Sequence, residues 1–226
     1  MIPTNRISGY NSVFFDLDGT LADTAPDLVA ATNQLRIDRN LEPLPFEILR
    51  NASSKGARGL LEVAFQITPE DANFAKLRDE FFINYENAIH VHSYLFEGIE
   101  DVLLTLESQN IPWGIITNKI ERFTTPLVKS MKLDERCAAI VSGDSTPTPK
   151  PHPAPILLAA DRSGIDPTQS LYVGDDLRDI EAGKAAGMKT VAVTYGYATQ
   201  EDPPHQWNAD FIINHPSELI DIIFPR

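Results

Sequence analysis

Four short stretches of this sequence gather residue types that can manage concentrated charge. Asp16 and Asp18 stand two residues apart in "FFDLDGTLADT", where an apolar run ends. Thr117 and Asn118 follow "WGII", and Lys150 stands in "TPKPHP". Asp175 and Asp176 follow "LYVG", with Asp179 four residues beyond Asp175. Carboxylates at the end of a buried strand are costly unless something compensates them. Two bare carboxylates ~4 Å apart repel by about 4 kcal/mol at an effective dielectric near 20. Asp16, Asp18 and Asp175 form an oxygen ligand set suited to a hard cation such as Mg²⁺. Lys150 adds a fixed positive charge, and Thr117 and Asn118 add neutral donors. With a cation bound, such a set accepts a dianion. A phosphate monoester is one, and its transfer depends above all on positioning and charge neutralisation.

Each stretch alone has a plainer reading. Asp-Gly is a strong turn signal. A calcium loop is excluded, because Thr20 and Leu21 stand where that pattern needs Asp or Asn and then Gly. Asp176 and Arg178 also read as helix-start and surface charges. The conjunction of all four, in order and each at a strand end, is what carries the chemical reading.

The elements that must bring these residues together are legible in the periodicity. Val13–Phe15 has strand composition. From Pro26 to about Leu95 apolar residues recur at three- and four-residue spacing, as in "GARGLLEVAFQI", which predicts helices and no strand. Pro69 with Glu70 and Asp71 predicts a helix start. After "FEGIE", helices and strands alternate to the C-terminus, which predicts a parallel sheet covered on both faces. The expected fold is α/β, a Rossmann-like doubly wound parallel sheet with an inserted all-helical domain. Residues 1–23 and 97–226 form the core and 24–96 the insert. In such a sheet the carboxyl ends of the strands share one edge, where ligands bind. Leu17 is expected to face the core by strand alternation. Gly19 and Thr20 would turn the chain around the site, and Asp23 would tie that loop down.

The bulk numbers narrow the function classes. The chain has 226 residues and a net charge of −13, which argues against nucleic acid or an anionic membrane surface as partner. Residues 24–96 hold 7 Lys/Arg and 10 Asp/Glu, net −3, so most of the excess acid, net −10, lies in the core. No apolar run suffices to span a bilayer, and "MIPTNRISGYNS" has no apolar signal core. Cys137 is the only cysteine, which fits a reducing cytoplasm and reads as a small buried thiol. The expected partner is a small-molecule phosphate monoester, and the chain reads as a monomer or homodimer.

"FFDLDGTLADT", "IITNK", "PKP" and "YVGDDLRDIEAGKAAG" resemble the four motifs of the haloacid dehalogenase superfamily, in its phosphatase branch. The helical insert resembles that family's cap. The resemblance implies that Asp16 is the nucleophile and forms an aspartyl-phosphate. It implies that Asp18 is the acid and then the base, its backbone carbonyl also reaching the metal. Thr117 and Asn118 would bind the phosphoryl group, and Lys150 would neutralise it and orient Asp16. Asp175 would complete the Mg²⁺ shell, with Thr20 and Asp179 in support. The dehalogenase members lack an aspartate at the Asp18 position, which disfavours halide chemistry.

Within the superfamily the chain is similar to phosphoglycolate phosphatase-like proteins. It is more similar to a bacterial subgroup that hydrolyses N-acetylmuramic acid 6-phosphate in peptidoglycan recycling. The distinctive stretch is "YGYATQEDPPHQWNADFIINHPSEL". Both candidate substrates carry a carboxylate. In "SSKGARG", Lys55, Gly56 and Arg58 are the candidates to meet it, against a plain helix start. His90 and His92 read as hinge histidines rather than metal ligands, and Arg122 and Phe123 as entrance or helix-start residues. Three other functions fit parts of the pattern. A phosphomutase would return an isomeric sugar phosphate. A phospho-accepting signalling domain would need neither the insert nor Asp18. A catalytically dead binding protein would not need every motif residue intact.

Overall fold

The computed structural model describes residues 9–225. Residues 1–8, part of the N-terminal stretch read above for an export signal, lie outside them. The chain divides into two compact units, one running to Ala22 and resuming at Leu95, the other spanning Asp23–Tyr94. Among the described residues no helix is long and apolar enough to cross a membrane.

In chain order the elements are β1 (Ser12–Phe15), β2 (Ala22–Asp23), α1 (Ala25–Ile37), α2 (Phe46–Arg50), α3 (Gly56–Phe65), α4 (Phe74–Asn87) and β3 (Tyr94–Leu95). There follow α5 (Ile99–Ser108), β4 (Trp113–Ile116), α6 (Glu121–Ser130), β5 (Ala139–Val141), α7 (Ala154–Ser163) and β6 (Ser170–Gly174). The last are α8 (Leu177–Ala185), β7 (Lys189–Val193), β8 (Phe211–Ile213) and α9 (Glu218–Ile223).

The core unit holds a six-stranded sheet in the order β5-β4-β1-β6-β7-β8. Every pairing in it is parallel. Parallel strands are covered by their crossover helices on both faces, so they read as continuous apolar runs. Val13, Phe14 and Phe15 are accordingly all buried. Phe14 and Tyr172 lie in one apolar cluster with Ile116, Val141 and Ile156. Removing a side chain such as Phe14 to Ala costs about 3–5 kcal/mol, so this layer holds the site's strands rigidly. The chain leaves β1 for β4 and β5 on one side and returns to β6 on the other. The strand order therefore reverses at β1, the position at which α/β sheets bind ligands.

The helical unit buries Leu28 and Leu35 of α1, Leu60 and Leu61 of α3, and Leu77, Phe81 and Tyr85 of α4. The rings of Phe81 and Tyr85 stack at 6.1 Å. Asp27, buried in the first turn of α1, accepts hydrogen bonds from the backbone N–H of Val91 (3.1 Å), His92 (2.9 Å) and Ser93 (2.9 Å). It also accepts one from the Ser93 hydroxyl (2.6 Å). The returning segment is thus pinned to the start of α1, while the side chains of His90 and His92 are exposed.

Two local expectations fail. The helix expected at Pro69 starts at Phe74 instead. Asp71 accepts from the Thr68 backbone N–H (2.6 Å) and hydroxyl (3.2 Å), and this closes a turn before the helix. Short polar side chains compete with helical hydrogen bonding in this way. The stretch read as free of strands ends in β3, which pairs with β2. Two residues on each side are too few to show a period.

Candidate active site

Three neighbouring strands deliver the site residues to one edge. Phe15 is level with Ile115 of β4 and with Val173 of β6. Asp16, Thr117 and Asp175 therefore emerge together. The pairing extends one residue further, as Asp16 N–H donates to the Val173 carbonyl (2.9 Å) and Thr117 N–H to that of Val141 (2.9 Å). Leu17 is fully buried. After Asp18 the chain reverses, with the amides of Leu21 and Ala22 donating to the Leu17 carbonyl. Gly19 sits at φ 89°, and a methyl group there would come closer than 3.0 Å to the Asp175 carboxylate. Only glycine meets both demands.

Lys150 is the hub. Its Nζ, with three protons to donate, lies within hydrogen-bond distance of Asp16 Oδ1 (2.7 Å), Asp179 Oδ1 (2.6 Å), the Tyr172 hydroxyl (2.8 Å) and the Ile116 carbonyl (2.8 Å). The Tyr172 hydroxyl itself donates a hydrogen bond to the Ile116 carbonyl (2.8 Å). The Asn118 side chain clamps the Lys150 backbone. Its Nδ2 donates to the Lys150 carbonyl and its Oδ1 accepts from the Lys150 N–H, both at 3.0 Å. The Asn118 side chain thus holds Lys150 in place. The Thr117 hydroxyl accepts from Lys119 N–H (3.1 Å) and keeps its proton available to donate.

The carboxylates divide in a way the motifs do not show. Oδ1 of Asp18 accepts from Lys119 Nζ at 2.7 Å, with both side chains largely buried. Carboxylate oxygens of Asp16, Asp175 and Asp179 lie within 4.8 Å of one another. The Asp18 carboxylate, expected in the ligand set, is engaged with Lys119, and Asp179 is in the cluster. Asp179 stands behind, however, since Lys150 takes its Oδ1 and the Asp176 N–H its Oδ2 (3.1 Å). That second bond belongs to the capping box with which Asp176 starts α8. Asp175 is held by the Thr20 hydroxyl at Oδ1 (3.1 Å) and the Tyr197 N–H at Oδ2 (2.8 Å). Asp16 gives Oδ1 to Lys150, while Oδ2 takes no hydrogen bond from the described residues.

Burial, opposed by Lys150 and reinforced by Asp179 and Asp18, pushes the Asp16 carboxyl up to about 7. Burial, with Asp16 and Asp179 adding to it, holds Asp175 well above the usual carboxylate range. Burial also raises Asp179, against the pull of Lys150. Lys150 is pulled down by burial but pushed further up by Asp16 and Asp179. Three buried carboxylates thus face one buried ammonium at the cluster. An all-oxygen set with excess negative charge fits a hard divalent cation.

This imbalance has a measurable sign. In the unfolded chain Asp16 would titrate at about 3.9, whereas in the metal-free fold it titrates at about 7. Between those values the folded state binds a proton that the unfolded state does not, so stability falls as pH rises. The chelator-treated protein is expected to lose at least about 4 °C in Tm between pH 5 and 7.5. Millimolar Mg²⁺ at pH 7.5 should recover most of the loss. A Tm that is level with pH and indifferent to Mg²⁺, read by calorimetry, would rule out the uncompensated charge.

Lys119, Tyr172 and the Tyr197 amide hold site carboxylates or their lysine, yet had no role in the sequence reading. For Tyr172 the available signal was a hydroxyl inside a wholly buried strand, which needs a partner. Lys55, Gly56 and Arg58 lie in the helical unit, where a 3₁₀ turn (Ser53–Lys55) runs into α3, and both cations are exposed. Asp23 also lies in that unit. It accepts from Ala25 N–H (3.2 Å) and pairs with Arg50 (3.4 Å), whereas the Thr20 turn is tied to Asp175. Arg122 stacks over the buried Phe123 ring at 5.3 Å. Cys137, expected to be buried, is only half-buried, yet that burial pushes its thiol up to about 11, which keeps it protonated.

Comparison with known proteins identifies the family. The model of the haloacid dehalogenase-like hydrolases matches residues 13–193. The chain is 43% identical over 212 residues to an N-acetylmuramic acid 6-phosphate phosphatase of Pseudomonas putida, covering 94% of this chain and 95% of that one. It is also 43% identical over 208 residues to a phosphoglycolate phosphatase of Xanthomonas campestris pv. campestris, covering 92% and 94%. A crystal structure from Haemophilus somnus, described as a predicted phosphoglycolate phosphatase, superposes with a TM-score of 0.84 at 28% identity, covering 96% and 99%. From its first core strand through β7, and over nearly the whole length of its relatives, the chain belongs to the haloacid dehalogenase-like hydrolases.

Proposed function

We propose that this chain is a Mg²⁺-dependent phosphomonoesterase that acts through an aspartyl-phosphate on Asp16, with N-acetylmuramic acid 6-phosphate as its substrate. The observation that carries the reading is the state of Asp16. One oxygen is fixed by Lys150 and the other is open, at the reversal point of the sheet, beside further buried carboxylates. Asp16 and Asp175, with the Asp18 carbonyl, would hold the cation. When bound, it supplies the charge neutralisation that lets a dianion enter an acidic site.

Asp16 as the carboxylate forms a bond to phosphorus as the ester P–O bond breaks, and Asp18, entering the step protonated on Oδ2, gives that proton to the leaving oxygen. Water then attacks the phosphorus, the P–O bond to Asp16 breaks, and Asp18 takes the water's proton. Inorganic phosphate leaves, with both carboxyls back in their starting states. The Thr117 hydroxyl donates to the transferring group. Lys150 keeps Asp16 aimed, and Asn118 keeps Lys150 in place. Lys119 holds Asp18 two residues from the nucleophile. Residues 24–96 serve as the cap that reads the leaving group. Lys55 and Arg58, beside Gly56, meet its carboxylate.

Relatives of equal identity carry the names of two substrates, so 2-phosphoglycolate is the second reading. A panel with both esters side by side in Mg²⁺ tests the choice. N-acetylmuramic acid 6-phosphate is expected to have a kcat/KM at least tenfold higher. The reverse order would overturn the substrate assignment. An isomeric sugar phosphate in place of inorganic phosphate would turn the reading into a mutase.

A further inference from the structure

The run Tyr195-Gly196-Tyr197 follows β7 and opens the stretch that sets this chain's C-terminal region apart, yet none of the four motifs includes it. The fold brings it onto Asp175. Tyr197 N–H donates to Asp175 Oδ2 at 2.8 Å. Gly196 lies so close that a methyl group there would come within 3.0 Å of both Asp175 and the Gly19 carbonyl. The Asp175 side chain is therefore lodged between two glycines, Gly19 and Gly196. Tyr195 closes the arrangement from the other side. Its hydroxyl donates to the Thr20 carbonyl (3.2 Å), and the Thr20 hydroxyl in turn holds Asp175 Oδ1 (3.1 Å). The Tyr195 ring packs against Phe96 at 5.0 Å. Burial, with Asp175 adding to it, raises the phenol far above its usual value and keeps it a donor.

Both oxygens of Asp175 are thus aimed by groups tied to this loop, directly through Tyr197 and by way of Thr20 through Tyr195. A carboxylate whose rotation is already fixed loses little freedom when it binds a cation, and such outer partners strongly influence affinity. We propose that Tyr195–Tyr197 is a positioning element for the divalent cation, setting the orientation of Asp175 and through it the affinity of the site. The inference rests on the Mg²⁺-dependent reading above and adds to it a fifth strand end. Gly196 and Tyr195 touch neither substrate nor metal in this scheme and act only through Asp175.

Calorimetric titration of the full chain with MgCl₂ tests it, using wild type, Gly196→Ala and Tyr195→Phe, each checked for its folded circular-dichroism spectrum. Gly196→Ala should weaken Mg²⁺ binding by roughly 10–100-fold, and Tyr195→Phe by roughly threefold. In both, activity at saturating Mg²⁺ should fall by much less than affinity, a split that a general loss of stability does not produce. A folded Gly196→Ala with wild-type affinity overturns the proposal. If Gly196→Ala does not fold, Tyr195→Phe decides, and unchanged affinity there overturns it too. Wild type failing to bind Mg²⁺ would instead bring down the metal-dependent reading on which the proposal rests.

Discussion

Asp16→Asn is expected to cut phosphate release by roughly 10⁴-fold or more, as removal of a nucleophile does, while leaving the fold intact. The stability half of this expectation follows from the site's charges. Asp16 is 8% exposed and already driven toward its neutral form by burial, so a neutral isostere removes repulsion from the cluster. Lys150 keeps Asp179, the Tyr172 hydroxyl and the Ile116 carbonyl. The variant should therefore melt within a few degrees of wild type, and higher in the absence of metal. Asp18→Asn should differ in kind. Loss of an acid–base group costs about 10²–10⁴-fold, and the loss should shrink for an ester such as p-nitrophenyl phosphate, whose leaving oxygen needs no proton. Steady-state rates on both esters make the comparison. Near-normal turnover by Asp16→Asn would remove it as nucleophile. Equal losses on both esters would remove Asp18 as acid.

Lys150→Met should be the most destabilising single change at the site. Lys150 is 4% exposed and pairs with both Asp16 and Asp179. Breaking a buried ion pair from one side costs about 3–5 kcal/mol, because the remaining charge has no partner. In a chain of this size that lowers Tm by roughly 10 °C. The stranded carboxylates recover by taking up protons, so the deficit should narrow toward pH 5. Adding Asp16→Asn should restore part of the lost stability, a coupling expected only of residues in contact. Thermal denaturation of the two single variants and the double variant at pH 5 and 7.5 reads all three effects. Strict additivity at pH 7.5 would mean that the pair seen at 2.7 Å contributes nothing.

The alternation of strand and helix was legible because burial on both faces forces continuous apolar runs, and Val13–Phe15 and Leu171–Val173 are buried throughout. The turns that start or end short elements were less legible. Pro69 looked like a helix start, but the Asp71 carboxylate captures the Thr68 amide first. β2 and β3 have two residues each, too short for any pattern. At the site, the motif positions told which residues stand at strand ends but not what each would grip. Asn118 read only as a neutral donor, and the fold sets its side chain against the Lys150 backbone. Lys119 had no role in the sequence reading, and the fold joins it to Asp18 across 101 positions.

The sequence by itself determined the kind of site. Acidic residues at the ends of apolar strands cannot remain uncompensated, so their types and order already implied a cation, a lysine and a dianionic ligand. The tertiary structure alone decided how the charges are shared. Asp179 stands behind Asp16 and Asp175 with its oxygens on Lys150 and the Asp176 amide, Lys119 takes the Asp18 carboxylate, and the loop after β7 secures Asp175. The reason is geometric. Strand ends are set by local periodicity, whereas a hydrogen bond of under 3 Å depends on the register of four parallel strands and on where two glycines let the backbone approach. Neither quantity is written in any one segment of the chain.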